Sequence, residues 1–315
     1  MIHTKTFRAM GCQMLAAIDS PSPTAGGKLE RVPGWFEAWE QSLSRFRGTS
    51  ELSRLNQGAG EPAAVSQPFW EVLQAALRAY EESGGLVSPA VYDALLAAGY
   101  TRSFDPGSSP RPAPIEPPAA AQPELLAGLQ MDHRNHTVTL PAGLHLDFGG
   151  IAKGWAAHQA AQRLKAYGPA LVDAGGDIAV SGLQADGEPW PVGVADPFHP
   201  EENLEVLLLG RGGVATSGRD YRKWQQGGVW KHHIIDPRTG QPAATDVLTA
   251  TVIAPNVMDA EIAAKVLLVL GSRSGLEWIE ARPSLSALLV LEDGRCLPSS
   301  RFERIAKERS LYVSA

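Results

Sequence analysis

Apolar and polar positions alternate along the chain with two different periods, and this pattern predicts a mixture of helices and strands. Apolar residues recur every three or four positions in "PGWFEAWEQSLSRF", "QPFWEVLQAALRAYEESGG" and "IAKGWAAHQAAQRLKAYG", which predicts three helices, the third ending at Gly168. Strands are predicted in "KTFRAMGCQMLAAID", which has a glycine break in its middle, and in "PALVDAGGDIAVSG", "PWPVGVADP", "LEVLLLGRGGVATSG", "VWKHHIIDP" and "ATVIAP". Hairpins are predicted in "HTVTLPAGLHLDFGG" and in "LSALLVLEDGRCLPSS". Because strands and helices do not alternate strictly, an α+β fold is favoured over a doubly wound parallel sheet.

A further helix is predicted in "NVMDAEIAAKVLLVLG", and two charges within it need an explanation. Asn256 is placed to cap this helix, Asp259 occupies its third position, and Gly271 is predicted to end it. Glu261 and Lys265 lie four residues apart in a segment that is otherwise almost entirely aliphatic. The ordinary interpretation is a salt bridge on a narrow solvated stripe, worth roughly 0.2–0.5 kcal/mol. If the stripe is buried instead, both ions lose hydration, and the pair needs further partners or a ligand.

Composition and charge narrow the class of protein. The chain has 315 residues, 44% of them apolar, and a net charge of -6, which is typical of a globular protein and argues against a nucleic-acid or anionic-membrane surface. Cys12 and Cys296 are the only cysteines, so neither a zinc cluster nor a disulfide scaffold is indicated. "RAMGC" resembles a lipoprotein processing site, but no apolar run precedes it, and no stretch is long enough to span a membrane. We therefore expect a cytoplasmic protein without a membrane anchor.

One stretch stands apart in composition. Residues 104–123, "FDPGSSPRPAPIEPPAAAQP", are rich in proline and alanine and are predicted to form a surface segment or linker. We expect the whole chain, 1–315, to form a single domain that carries this segment.

Two glycine-rich motifs are candidate anion sites. In "VDAGGDIAVSG", Gly175 and Gly176 allow bare backbone N–H groups to approach an anion, and Asp173 and Asp177 are placed to accept hydrogen bonds from ribityl or ribose hydroxyls. In "LDFGGIAKGWAAH", Lys153 falls in the first turn of a predicted helix, where anions are attracted. Taken alone, the first motif is more often just a turn, and a solvated lysine after a tight turn explains the second about equally well.

Polar residues at predicted strand ends extend this set. "GVATSGRDY" and "HHIIDPRTG" contribute Thr216, Ser217, His233, Asp236 and Thr239. A buried histidine satisfied by a neighbouring carbonyl is the commoner explanation of a residue such as His233. The chain contains neither GxGxxG nor GxxxxGK[ST], so the two commonest nucleotide-binding loops are absent.

Taken together, these segments resemble a known family. "AMGC", "SRFRGTSELSRLN", "LDFGGIAKGWAAH", "VDAGGDI", "ATSGRDY", "HHIIDPRTG" and "TVIAPNVMDAEIAAKVLLVLG" occur in the order and spacing of the FAD:protein FMN transferases, the ApbE family, from about Phe7 to Gly271. The resemblance implies an α+β domain in which largely antiparallel sheets and flanking helices surround an FAD cleft. It also implies protein flavinylation, in which FMN passes from FAD to a threonine or serine hydroxyl of a partner flavoprotein and AMP is released.

The resemblance also assigns residues to roles. It places Met10 and Gly11 at the flavin, Lys153, Gly175 and Gly176 at the phosphates, and Asp177, Thr216, Ser217 and His233 nearby. In this interpretation His233 orients or deprotonates the acceptor hydroxyl. The family holds a magnesium ion with an aspartate and a threonine four residues apart on a late helix, together with a main-chain oxygen that corresponds to Ala152.

This chain departs from its relatives at that metal site. The family's aspartate falls on Glu261 and its threonine on Lys265. Our hypothesis is that the Lys265 ammonium, held by Glu261, faces the FAD diphosphate in place of the ion and stabilises phosphate charge together with Lys153. Mg2+ carries twice that charge, so reduced or metal-independent transfer is expected. Two alternatives remain open: an FAD-binding protein that has lost catalysis, and a pyrophosphatase that splits FAD into FMN and AMP.

Overall fold

The computed structural model describes residues 1–103 and 121–305. The proline-rich segment predicted at 104–123 therefore lies outside the described residues except for its last three positions. Among the described residues, no helix is long and apolar enough to cross a bilayer.

Besides a helical stretch at the end of the described residues, 300–305, the chain has seven α-helices in the described ranges. They are α1 (Gly26–Leu29), α2 (Val32–Leu43), α3 (Glu51–Gln57), α4 (Gln67–Glu82), α5 (Tyr92–Ala97), α6 (Ala152–Leu164) and α7 (Val257–Glu280). Short 3-10 helices cover Pro123–Gly128 and Lys165–Tyr167. The three helices predicted in the segments that end at Phe46, Gly85 and Gly168 are confirmed as α2, α4 and α6.

The strands lie between and after these helices. They are β1 (Ile2–Ala9), β2 (Cys12–Asp19), β3 (Ala63–Ala64), β4 (Gln130–Asp132), β5 (Thr137–Thr139), β6 (Ala170–Ala174), β7 (Asp177–Val180), β8 (Trp190–Ala195), β9 (Asn203–Leu209), β10 (Gly212–Gly218), β11 (Lys223–Gln226), β12 (Val229–His232), β13 (Ile235–Asp236), β14 (Gln241–Pro242), β15 (Val247–Ala254), β16 (Ser286–Leu291) and β17 (Cys296–Pro298).

The main sheet organises the molecule. It has eight strands in the order β1-β2-β6-β7-β10-β15-β16-β17, and each neighbouring pair is antiparallel. The remaining strands form small sheets of two or three strands. Helices thus flank a largely antiparallel sheet, so the predicted α+β class is confirmed. The hairpin predicted around Asp293 and Gly294 is also confirmed, as β16 and β17.

The two faces of the main sheet are covered by different layers, because successive side chains of a strand point to opposite faces. Ala16 and Val172 face a core that includes α2, α4 and α6, whereas Ala17 and Leu171 face the β8–β9 ribbon. Helix α7 packs on β10, β15 and β16 and touches α6. The two helices α6 and α7 therefore lie side by side over the sheet.

The prediction of a hairpin in "HTVTLPAGLHLDFGG" is wrong for the second half of this segment. Strand β5 pairs with β3 and β4 instead, and no strand follows it before α6. The reason is visible at Leu146, whose N–H donates to the Asn56 side-chain oxygen (2.8 Å) and whose C=O accepts from the Asn56 side-chain nitrogen (2.9 Å). Because a side chain satisfies the backbone there, no partner strand is needed.

Helix α7 behaves as predicted at its start and extends further than predicted at its end. The Asn256 side chain accepts a hydrogen bond from the Asp259 N–H at 2.9 Å, which is the predicted cap. Gly271 leaves helical geometry at φ 78° and ψ 175°, so the first segment ends where the sequence predicts. A second helical segment begins at once, because the Asp246 carboxylate accepts from the Ser272 N–H at 2.8 Å.

Candidate functional site

A cavity of about 420 Å³ opens beside α6 and the first segment of α7. Among the residues predicted from the sequence, Met10, Gly11, Ala152, Lys153, His233 and Lys265 all line it. Much of the remaining wall is apolar, including Phe46, Leu86, Val87 and Leu95. A mostly apolar cavity with a few convergent charges is the usual form of a small-molecule site.

The turn between β1 and β2 supplies one wall of the cavity. Ala9 pairs with Cys12, so Met10 and Gly11 are the two central residues of a tight hairpin. Both have positive φ, 49° and 68°, as a type I′ turn requires. The Met10 N–H donates to the Glu40 carboxylate at 2.9 Å, which fixes this turn against α2.

Lys153 reaches the cavity from the first turn of α6. Its side chain is 16% exposed, and its ammonium is paired with the buried Asp177 carboxylate at the start of β7. Burial disfavours the ammonium, but the carboxylates of Asp177 and Glu261 outweigh it and raise the pKa of Lys153 above its usual value. Lys153 therefore stays positively charged at neutral pH, where it can meet an anion.

Glu261 is completely buried between α6 and α7, so the solvated-stripe interpretation of the sequence is wrong. One carboxylate oxygen, Oε2, accepts from the Gly154 N–H at 2.9 Å. The other, Oε1, lies 3.0 Å from the Lys265 ammonium and 4.0 Å from that of Lys153. Burial and the nearby Asp177 carboxylate raise the pKa of Glu261, and the two ammonium groups oppose that rise. These contacts are the further partners that a buried carboxylate needs.

The side chains of Glu261 and Lys265 do not fit the magnesium ion that the resemblance implies. Lys265 is a hydrogen-bond donor, and each Glu261 oxygen already accepts from a nitrogen. A Mg2+ ion needs oxygen ligands at about 2.1 Å, which requires the ammonium to leave Oε1. Among the described residues, no group of three or more histidine, cysteine, aspartate or glutamate side chains is arranged to hold a metal.

His233 lines the same cavity at the end of the β11–β12 hairpin. Burial, followed by the positive charges of Arg222 and Lys265, lowers the pKa of His233 well below its usual value. Its Nδ1 atom is buried and has no hydrogen-bond partner within the described ranges. His233 is therefore a neutral imidazole at neutral pH, with one nitrogen uncommitted.

Nine of the residues singled out from the sequence do not line the cavity wall. They are Asp173, Gly175, Gly176, Asp177, Thr216, Ser217, Asp236, Thr239 and Glu261. The Asp173 carboxylate accepts from the Gly176 N–H at 2.8 Å and stabilises the β6–β7 turn, and burial raises the pKa of Asp173. The Thr216 hydroxyl lies 2.9 Å from that of Thr251. A Cβ atom at Gly175 would lie 2.6 Å from the Cys12 Cβ, so this turn packs against the strand that follows Gly11.

The structure also brings in charged and aromatic residues that the sequence did not single out. Arg45 and Asp147 form a buried ion pair, with 2.8 Å between the Arg45 Nε and an Asp147 carboxylate oxygen. The Arg45 guanidinium also lies 4.6 Å from the centre of the Tyr100 ring. Arg222 places Nη2 2.7 Å from the Cys12 sulfur. Arg45, Tyr100, Asp147 and Arg222 line the cavity, whereas Cys12 does not. Arg45 and Asp147 occur inside the motifs quoted above, whereas Tyr100 and Arg222 follow glycine-containing turns with no periodic pattern to mark them.

The fold and the cavity define a class of protein: an α+β domain in which two helices direct ammonium groups into an apolar cavity of ligand size. The comparison with known proteins makes the class specific. The chain matches the ApbE family over residues 10–289 and belongs to that family.

Relatives of known name support this assignment. The FAD:protein FMN transferase of Treponema pallidum is 33% identical over 306 residues, which cover 92% of this chain and 84% of the relative. The FAD:protein FMN transferase of Vibrio cholerae is 31% identical, covering 86% and 81%.

Solved structures agree with the sequence comparison. The ApbE protein of Thermotoga maritima superposes with a TM-score of 0.83 at 25% identity, covering 97% of this chain and 99% of that one. The flavin transferase ApbE of Vibrio cholerae gives a TM-score of 0.75 at 27% identity, covering 96% and 99%.

Proposed function

We propose that this protein is an FAD:protein FMN transferase, which moves FMN from FAD to a threonine or serine hydroxyl of a partner flavoprotein and releases AMP. The observation that carries the proposal is the grouping of Lys153, Lys265 and His233 around one apolar cavity in a chain of the ApbE family. The apolar wall suits an isoalloxazine ring, and the two ammonium groups suit a diphosphate.

The reaction replaces one phosphorus–oxygen bond by another. The acceptor hydroxyl oxygen attacks the phosphorus on the FMN side of the diphosphate, and the bond from that phosphorus to the bridging oxygen breaks. AMP leaves with the bridging oxygen. Catalysis of such a transfer consists mainly of positioning the groups and stabilising charge on phosphate oxygens. Lys153 and Lys265 supply that charge from fixed positions.

We assign His233 the role of accepting the proton that the acceptor hydroxyl loses. Because its pKa is lowered well below the usual value, the imidazole is neutral and able to accept a proton at pH 7. Arg222 and Lys265 hold positive charge close to it, so the proton accepted by His233 is readily lost again when turnover ends.

The direct test is incubation of the full chain with FAD and a candidate acceptor flavoprotein. The expected result is an acceptor whose mass increases by one FMN less one water, with an equal amount of AMP in solution. Replacement of the acceptor's target threonine by valine serves as the control and should abolish both products.

Two other outcomes correspond to the rival functions. AMP and free FMN formed at the same rate without any acceptor would indicate a pyrophosphatase. FAD that remains bound and intact, with no AMP under any condition, would indicate a binding protein, which the altered residues at 261 and 265 make the stronger rival.

A further inference from the structure

Helices α6 and α7 hold two ammonium groups at fixed positions on one side of the cavity. Lys153 and Lys265 are 16% and 14% exposed at the side chain, and both line the cavity. Their nitrogens lie 4.0 Å and 3.0 Å from the same Glu261 oxygen, so they are separated by no more than the sum, about 7 Å. A diphosphate has oxygens on two adjacent phosphorus atoms, and two cations at this spacing can each contact one phosphate.

The surrounding backbone favours the same ligand. Lys153 is the second residue of α6, so the positive end of that helix faces the same region. Gly150 lies beside Lys265, because a Cβ added to it would be in van der Waals contact with the lysine Cε, at 3.6 Å. Arg222 adds a third positive charge to the cavity wall.

Like charges disfavour an added divalent cation at this place. A Mg2+ ion beside Glu261 would lie next to the ammonium groups of Lys153 and Lys265, which repel it. The two negative charges of a diphosphate instead attract these ammonium groups and the Arg222 guanidinium.

We propose that Lys153 and Lys265 form a diphosphate clamp, with Glu261 as the residue that positions both ammonium groups, and that this clamp binds the FAD diphosphate without a divalent cation. The inference rests on the proposed function, because it takes FAD as the ligand. It goes further by assigning to two side chains the role that relatives are expected to give a metal ion.

The test measures binding rather than turnover. Affinities of the full chain for FAD and for inorganic pyrophosphate are determined by calorimetry in EDTA and again in Mg2+. The expected result is binding of both ligands in EDTA, with affinities that differ from those in Mg2+ by less than about twofold, a free-energy difference below about 0.4 kcal/mol. Lys265→Met is expected to weaken both ligands by about tenfold or more, since a charged contact to phosphate is lost.

A matched control lies on the same helix. Arg273 and Glu277 are also four residues apart, at 3.7 Å, but their side chains are 93% and 72% exposed. Replacing Arg273 by Met should leave both affinities unchanged.

A gain-of-function variant keeps the test independent of folding defects. Glu261→Asp combined with Lys265→Thr restores the oxygen ligands expected in relatives, and it should bind Mn2+ in the presence of FAD, as seen by electron paramagnetic resonance. The unaltered chain should show no FAD-dependent Mn2+ binding.

The outcomes separate this inference from the proposed function. FMN transfer and FAD binding that both require Mg2+ would overturn the clamp and leave the transferase function standing. Metal-independent binding without any transfer would overturn the function and leave the clamp standing. Failure to bind either FAD or pyrophosphate would overturn both.

Discussion

At the scale of single residues, the site depends on how a buried carboxylate is satisfied. Glu261 has no exposed surface, yet each of its oxygens accepts from a nitrogen of α6 or α7. Removing one partner of such a group leaves a buried charge without compensation, whereas the intact set is tolerated. The close fit around Glu261 therefore makes neighbouring positions sensitive to small changes.

Gly154 gives the sharpest steric prediction. A Cβ atom there would lie 2.6 Å from the Glu261 Oε2, so Gly154→Ala should push the carboxylate away while keeping the backbone N–H. We expect a loss of roughly 1–3 kcal/mol in the free energy of unfolding, measured in urea. A Cβ atom added at Gly34 of α2 would meet nothing within 4 Å, so Gly34→Ala is the control and should be neutral or stabilising.

His233 gives a prediction about pH. The pKa of His233 is lowered, so the imidazole stays neutral at pH values where an ordinary histidine is protonated. The fall of the transfer rate on the acid side of the pH profile, its acid limb, should therefore lie below about pH 6.5. Lys265→Met removes one of the positive charges that lower this pKa, so the limb should move to higher pH even though the maximal rate falls. The pH profile of single-turnover AMP release measures both effects.

Arg273→Met is the control for this pH shift, because Arg273 lies on the same helix and is 93% exposed at the side chain. An acid limb above pH 6.5 in the unaltered chain would contradict the assignment of His233 as the proton acceptor.

At the level of single elements, the N-terminal cap and a break at Gly271 define the first segment of α7. The Asn256 cap fixes the first turn, and Gly271 ends the helical segment that carries Glu261 and Lys265. The φ and ψ values of Gly271, 78° and 175°, are essentially restricted to glycine. This break therefore sets the length of the helical segment that reaches the cavity.

Gly271→Ala tests this interpretation. The substitution forces an unfavourable backbone conformation and places a Cβ 3.2 Å from the Asp246 oxygen that caps the second segment. We expect a destabilisation of about 1–3 kcal/mol, measured by chemical denaturation. Ser274→Ala, at an exposed position of the following turns, is the comparison and should change stability very little.

At the scale of the whole molecule, the cavity is held together by contacts between segments that are far apart in sequence. Arg45, just after α2, pairs with Asp147, just before α6, and both side chains are more than nine-tenths buried. Asp147 also accepts from the Gly149 N–H at 2.8 Å. This pair joins the helical layer to the glycine loop that leads into Lys153.

Asp147→Asn should therefore weaken the entire fold. The Arg45 guanidinium would remain buried without its counter-charge, at a cost of about 3–5 kcal/mol. Thermal and urea unfolding would both report the loss. Asp293→Asn provides the contrast, because the Asp293–Arg295 pair has a similar distance, 2.8 Å, at exposed side chains. Equal losses in the two variants would contradict a special role for the buried pair.

Much of the fold could be predicted because its signals are local. The periods of α2, α4 and α6, the Asn256 cap and the Asp293–Gly294 turn depend on residues a few positions apart. The failed hairpin after β5 shows the limit of such signals. There, the decisive partner of Leu146 is Asn56, ninety residues earlier, and no local pattern could reveal that hydrogen bond.

The fold class, the family resemblance and the residues at 261 and 265 follow from the order of amino acids alone. The folded structure was needed to show that Glu261 is buried and that the ammonium groups of Lys153 and Lys265 approach the same Glu261 oxygen. It was also needed to show that His233 and Arg222 line the same cavity. This is because periodicity defines which face of a helix is apolar, whereas burial of a charge depends on what packs against that face. Here the packing of α6 on α7 converts an ordinary i,i+4 pair into part of a cationic site.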